Sequence, residues 1–128
     1  MEIALRELVR SRARDQCEYC GLEQRHSRLT FHIEHIIAKQ HGGGETEHNL
    51  ALACHRCNLH KGPNLSGIDP ETGTLVPLFH PRRDLWSQHL ELRNFQIHGI
   101  TPMGRATVQV LAMNDARRVE LRMALELR

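Results

Sequence analysis

Four cysteines fall in two Cys-x-x-Cys pairs, Cys17-Glu-Tyr-Cys20 and Cys54-His-Arg-Cys57, and an acid–histidine pair, Glu34-His35, lies between them. These are the residues of the chain whose types and spacing can do chemistry. Two such cysteine pairs present four thiolates to one ion, and Zn²⁺ in tetrahedral geometry is the ion that set holds. Gly21, directly after the first pair, suits the tight knuckle that aims two sulfurs at one metal. A redox-active pair would stand alone and sit in a thioredoxin-like βαβ pattern, which surrounds neither pair here. Residues 21–53 make a longer insertion than a simple zinc ribbon carries, so a further structure is built inside it.

The segments that must position these groups can be read from their patterns. Residues 2–14 suit an amphipathic helix with Ile3, Leu8 and Val9 on one side, leading into the first knuckle. Leu29–Ile37 reads as a strand, on which His32 and Glu34 share one face while His35 takes the other. Gln40–Glu47 reads as a flexible, glycine-rich loop, Asn49–Ala53 as a second strand, and His55–Lys61 as a short helix stopped by Gly62-Pro63. Beyond it, Gly67–Gly73 is turn chemistry, Thr74–Phe79 and Leu92–Ile97 read as strands, and Asp84–His89 as a helical turn. Thr101-Pro102 opens a helix to about Met113 as cap and first residue. Asn114 or Asp115 caps a last helix through Leu127, with Val119, Met123 and Leu127 in line. The expected division is residues 1–66, holding the N-terminal helix and zinc-clamped unit, and residues 67–128, an extension packing on it.

Composition narrows the function classes. The chain of 128 residues is 40% hydrophobic and 25% charged, the balance of a globular protein rather than a disordered one. Its longest apolar run, Leu50–Cys54, is far too short to span a bilayer. The N-terminus carries charges where an export signal needs an apolar stretch, so a cytoplasmic location is expected. Five aromatic residues are too few for binding single strands mainly by base stacking. Of 17 basic residues only Lys39 and Lys61 are lysines; the arginine bias is compatible with phosphate partners, and equally with a G+C-rich genome. Ten histidines are an excess for this length, with several between His32 and His60.

The string CEYCG…HIEHIIAKQHGGGETEHNLALACHRCNLHKG, residues 17–62, resembles the HNH nucleases of the ββα-metal, treble-clef-like superfamily, in the branch clamped by a four-cysteine zinc. The order of zinc pairs, acid–His pair, Asn-Leu and Cys-Asn-x-x-Lys carries the resemblance. It implies an α+β fold: a zinc-clamped ββα-metal core with an N-terminal helix and a C-terminal β-turn plus two-helix extension. It further implies an endonuclease that hydrolyses DNA phosphodiester bonds to 5′-phosphate and 3′-hydroxyl ends. In that reading His35 is the general base, Glu34 and Asn58 hold a catalytic Mg²⁺ or Mn²⁺, and Asn49 orients the base from the loop. Lys61 and Arg56 then neutralise phosphate, and Arg82, Arg83 and Arg105 add backbone contacts to DNA. His32 is a further candidate ligand; were it to complete the site, Zn²⁺, Ni²⁺ or Mn²⁺ would suit better than Mg²⁺. Glu34 departs from the family pattern, where Asp or His more often precedes the base. His41, His48, His55 and His60 read as loop residues as readily as site residues. The alternative class is a non-catalytic zinc module that binds nucleic acid or protein and keeps HNH residues as remnants.

Overall fold

A computed structural model describes all residues, 1–128, and divides the chain into two compact units. The first comprises Met1–Pro63 together with His80–Arg83; the second comprises Asn64–Phe79 and Asp84–Arg128. The division therefore falls at Pro63 rather than after residue 66, and a four-residue piece of the later sequence belongs to the first unit.

In the first unit, α1 (Ile3–Arg12) precedes an antiparallel hairpin of β1 (His32–His35) and β2 (Leu50–Ala53), followed by α2 (His55–Lys61). This is an α+β unit of the ββα-metal type. Pairing runs His32 with Ala53 through His35 with Leu50. Both helices pack on the hairpin, and β2 is buried at every position, which explains its unbroken apolar sequence. Each fully buried leucine there, Leu50 and Leu52, contributes about 1.5–3 kcal/mol of transfer free energy.

The inward face of α1 differs from expectation. Ile3 and Leu8 are exposed and only Val9 is fully buried. Two arginines take the inward role: Arg10 donates to the Phe31 carbonyl at 2.9 Å and Arg12 to that of Leu50. The β1 ladder is shorter than the apolar pattern suggested because side chains take over at its ends. Gln24 Oε1 accepts from Phe31 N at 2.7 Å, and Asn49 engages Ile37. The glycine-rich stretch is tied down as well. It carries a single helical turn, Lys39–His41, and Gly43 N donates to Ala38 O at 3.1 Å.

The second unit holds two hairpins and three helices: β3 (Ser66–Ile68) with β4 (Leu75–Pro77), α3 (Trp86–His89), β5 (Leu90–Arg93) with β6 (Gln96–Gly99), α4 (Pro102–Val110) and α5 (Ala116–Ala124). The expected single strand Leu92–Ile97 is instead a hairpin turning at Asn94 and Phe95, whose φ values are 54° and 66°. Thr101 caps α4 as its sequence indicates, accepting from Gly104 N at 3.1 Å with Pro102 in the first turn. Such a cap is worth about 1 kcal/mol. A Cβ on Gly104 would lie 1.9 Å from the His89 carbonyl oxygen, so only glycine lets α4 approach α3 this closely. Asp115, not Asn114, caps α5. Along α5 the buried residues are Arg118 and Arg122, whereas Met123 is exposed. Their guanidiniums cover two carbonyls just beyond α4, those of Leu111 (2.7 Å) and Met113 (2.6 Å).

Candidate functional site

The four cysteine sulfurs lie within 4.8 Å of one another, three of the residues being buried. Cys20 Sγ and Cys54 Sγ are 3.7 Å apart. Two ligands at the usual Zn–S distance of about 2.3 Å in a tetrahedron are separated by about 3.8 Å, so the spacing is that of a closed zinc site. Both knuckles show the expected backbone donors: Cys20 N to Cys17 Sγ at 3.5 Å and Cys57 N to Cys54 Sγ at 3.4 Å. Gly21 turns the first knuckle with φ 80°. Burial pushes the Cys17 and Cys57 thiols up, so without a cation both would stay protonated. A zinc ion reverses that balance by holding them as thiolates.

Between the knuckle and β1 lies a buried polar triad. Tyr19, one of the two residues between the first two cysteines, donates its hydroxyl to Glu34 Oε1. Lys61 Nζ is 3.4 Å from Glu34 Oε2 and donates to the Ile36 carbonyl at 2.8 Å. All three side chains are buried. Burial raises the Glu34 carboxyl above its ordinary value, and the Lys61 charge opposes that rise. Both oxygens of the expected metal-ligating carboxylate are thus engaged, and the lysine expected to meet phosphate is the buried counter-ion of Glu34. The physical reason is desolvation: a carboxylate facing the core between α2 and the hairpin needs a cation and a donor beside it. As placed, each Glu34 oxygen already has a partner within the protein. Asn58 itself is half-buried on α2, and its side-chain carboxamide forms no hydrogen bond within the protein.

On the other side of the strand, His35 is 17% exposed and its Nε2 is screened from solvent without a hydrogen-bond partner. The nearest acid is Glu45, 3.9 Å away on the glycine-rich loop. Asn49 fixes that loop. Its Oδ1 accepts from Ile37 N at 2.9 Å, and its Nδ2 donates to the carbonyls of Ile37 (3.0 Å) and Gly44 (2.9 Å). A Cβ on Gly43 would fall 1.7 Å from Ile37 O and 2.8 Å from Asn49 Nδ2, so glycine is required there. A groove of about 460 Å³ opens beside this loop, lined by Ile37, His41, His48, Asn49, His80 and Arg83 among others.

The arginines divide by partner. Arg82 is salt-bridged to Glu18, whose other oxygen accepts from Leu52 N at 2.8 Å, so it pins the His80–Arg83 segment to the zinc knuckle. Arg105 grips both oxygens of Asp69 at 2.9 Å and so is committed inside the second unit. Arg56 is half-buried and engaged within the protein. Of the arginines expected to meet DNA, Arg83 is exposed and without an internal ion-pair partner. At the N-terminal end of β1, His32 Nε2 lies 3.4 Å from His55 Nδ1. Sequence reasoning did not single out Tyr19, Glu45 or His80 and left His55 open, because each acts through a neighbour brought close only by folding.

A ββα unit clamped by four cysteines, with an acid–histidine pair on its first strand, defines an HNH-type domain, and residues 17–64 match the family described as HNH endonuclease. The chain therefore carries an HNH-family domain. Over 107 residues it is 27% identical to the Septu protein PtuB of Bacillus thuringiensis, a match covering 82% of this chain and 39% of that protein. The matched chain thus spans about two-fifths of its curated relative's length. No solved structure matches. No helix is long and apolar enough to cross a membrane.

Proposed function

We propose that the protein is an endonuclease that hydrolyses phosphodiester bonds of DNA, by nicking or by cutting both strands, with His35 as general base. The observation that supports this reading is the His35 imidazole, whose buried Nε2 has no hydrogen-bond partner and lies 3.9 Å from Glu45, beside a loop stapled by Asn49. In the proposed reaction a proton on Nε2 leaves Nδ1 to accept one from water, as a histidine base requires. Water loses a proton to His35 Nδ1 as its oxygen bonds to phosphorus. The bond from phosphorus to the 3′ oxygen breaks, and that oxygen takes a proton from solvent, giving 5′-phosphate and 3′-hydroxyl ends. Arg83 supplies positive charge for a neighbouring phosphate, and the histidines of the adjoining groove offer ring N–H donors to it.

Engagement of Glu34 by Lys61 favours a second reading, a zinc module that binds nucleic acid without cutting it. Supercoiled plasmid incubated with the purified protein separates the two. Cleavage with Mg²⁺, Mn²⁺, Zn²⁺ or Ni²⁺ that a chelator stops supports the nuclease. DNA binding without cleavage in every metal supports the second reading.

A further inference from the structure

We propose that His32 and His55 form a second metal site, distinct from the four cysteines, for a borderline divalent cation of the Zn²⁺, Ni²⁺ or Co²⁺ class. His32 Nε2 and His55 Nδ1 are 3.4 Å apart, with ring centroids at 5.7 Å and planes tilted by 37°. That separation exceeds the usual range of a nitrogen-donated hydrogen bond, about 2.7–3.2 Å. It matches the edge of a tetrahedron around an ion at a metal–nitrogen distance of about 2.0–2.1 Å, which is about 3.3–3.4 Å. Two imidazole nitrogens select zinc, nickel or cobalt over magnesium, which prefers oxygen.

The fold fixes the backbone of both residues. His32 is the first residue of β1 and pairs with Ala53, the residue before Cys54; His55 opens α2 directly after that cysteine. The ladder and the four-cysteine clamp therefore set the distance between them. Both histidines are exposed, which leaves coordination positions for water or a phosphate oxygen. Asn58 lies three residues along α2 from His55, on the same side of the helix, with its side-chain carboxamide unpaired. Glu34 shares the strand face of His32 but is held by Lys61 and Tyr19. Any role of such an ion toward a bound phosphate rests on the nuclease reading, whereas binding of the ion does not.

The test uses the full chain carrying one tightly bound zinc per molecule, titrated calorimetrically with Ni²⁺ or Co²⁺ in the absence of DNA. A second equivalent is expected, weakened about ten-fold or more by His32→Ala and by His55→Ala and retained by His60→Ala. Long-range ¹H–¹⁵N spectra with added Zn²⁺ are expected to shift His32 Nε2 and His55 Nδ1 to metal-bound values. Zinc content is measured in each variant. Should His55→Ala disturb Cys54, His32→Ala on the strand decides. Absence of a second equivalent, or one that survives His32→Ala, overturns the proposal. A second equivalent with these properties in a protein that cuts no DNA sustains the site and removes only the nuclease reading.

Discussion

The Tyr19 hydroxyl donates to the Glu34 carboxylate, joining the first zinc knuckle to the strand that carries His35. Because Tyr19 sits between two zinc-binding cysteines, the position of β1 depends on the knuckle as well as on its own ladder. The Glu34–Lys61 pair completes the link by tying the same strand to α2.

That link is testable by removing one charge. Lys61→Met should cost about 3–5 kcal/mol at neutral pH, since it leaves Glu34 buried and unpaired. Tyr19→Phe should cost less, about 1–3 kcal/mol. Without Lys61 to oppose burial, the Glu34 carboxyl rises further above its ordinary 4.5. A carboxyl raised by folding stabilises the protonated form, so the deficit of Lys61→Met should shrink as pH falls toward that value. Denaturant titrations at neutral and mildly acid pH check both statements, and a deficit that grows in acid would refute them.

Zinc should be part of the fold. Cys54→Ala removes one of the four sulfurs and with it the N-terminal cap of α2, so the variant should lose zinc and unfold in its first unit. Metal analysis together with circular dichroism reads both effects. A folded variant without zinc would show that the hairpin stands without its clamp.

Arg83 should carry electrostatic attraction to DNA. Arg83→Glu is expected to weaken binding and to reduce the slope of log K against log salt by about one or more phosphate contacts. Binding measured across a salt series checks this, and an unchanged slope would move the contact elsewhere.

The second unit should respond to acid through Asp69. The two hydrogen bonds from Arg105 hold this carboxyl well below its ordinary 3.8. A carboxyl lowered by folding contributes stability that is complete above that value and lost as pH falls through its folded pKa. Asp69→Asn should therefore melt earlier than wild type at neutral pH, and the gap should close in strong acid. A gap independent of pH would assign the effect to packing.

Elements marked by caps and stop signals were legible in the sequence. Thr101-Pro102 located the start of α4, and Gly62-Pro63 the end of α2, because those residues act on the backbone next to them. The β5–β6 hairpin was hidden because its turn is Asn94-Phe95 rather than Asn-Gly. A phenylalanine at φ 66° gives no turn signal, and the two strands read as one. On α5 an apolar stripe pointed to Met123, whereas the buried positions are Arg118 and Arg122; binary patterning scores arginine as surface and misses its use as a carbonyl cap. The four cysteines were readable as one zinc set because ligand spacing survives in sequence. Partner choice does not: nothing in the string tells that Lys61 serves Glu34, that Arg82 serves Glu18, or that His32 meets His55.

The most direct test of the account is cleavage of supercoiled plasmid by His35→Ala beside wild type, with zinc content and DNA affinity measured on the same preparations. His35→Ala is expected to cut at a rate lower by about 10²–10⁴, the usual cost of removing a positioned general base, with zinc content and affinity retained. Cleavage by a zinc-replete His35→Ala protein at close to the wild-type rate would contradict it.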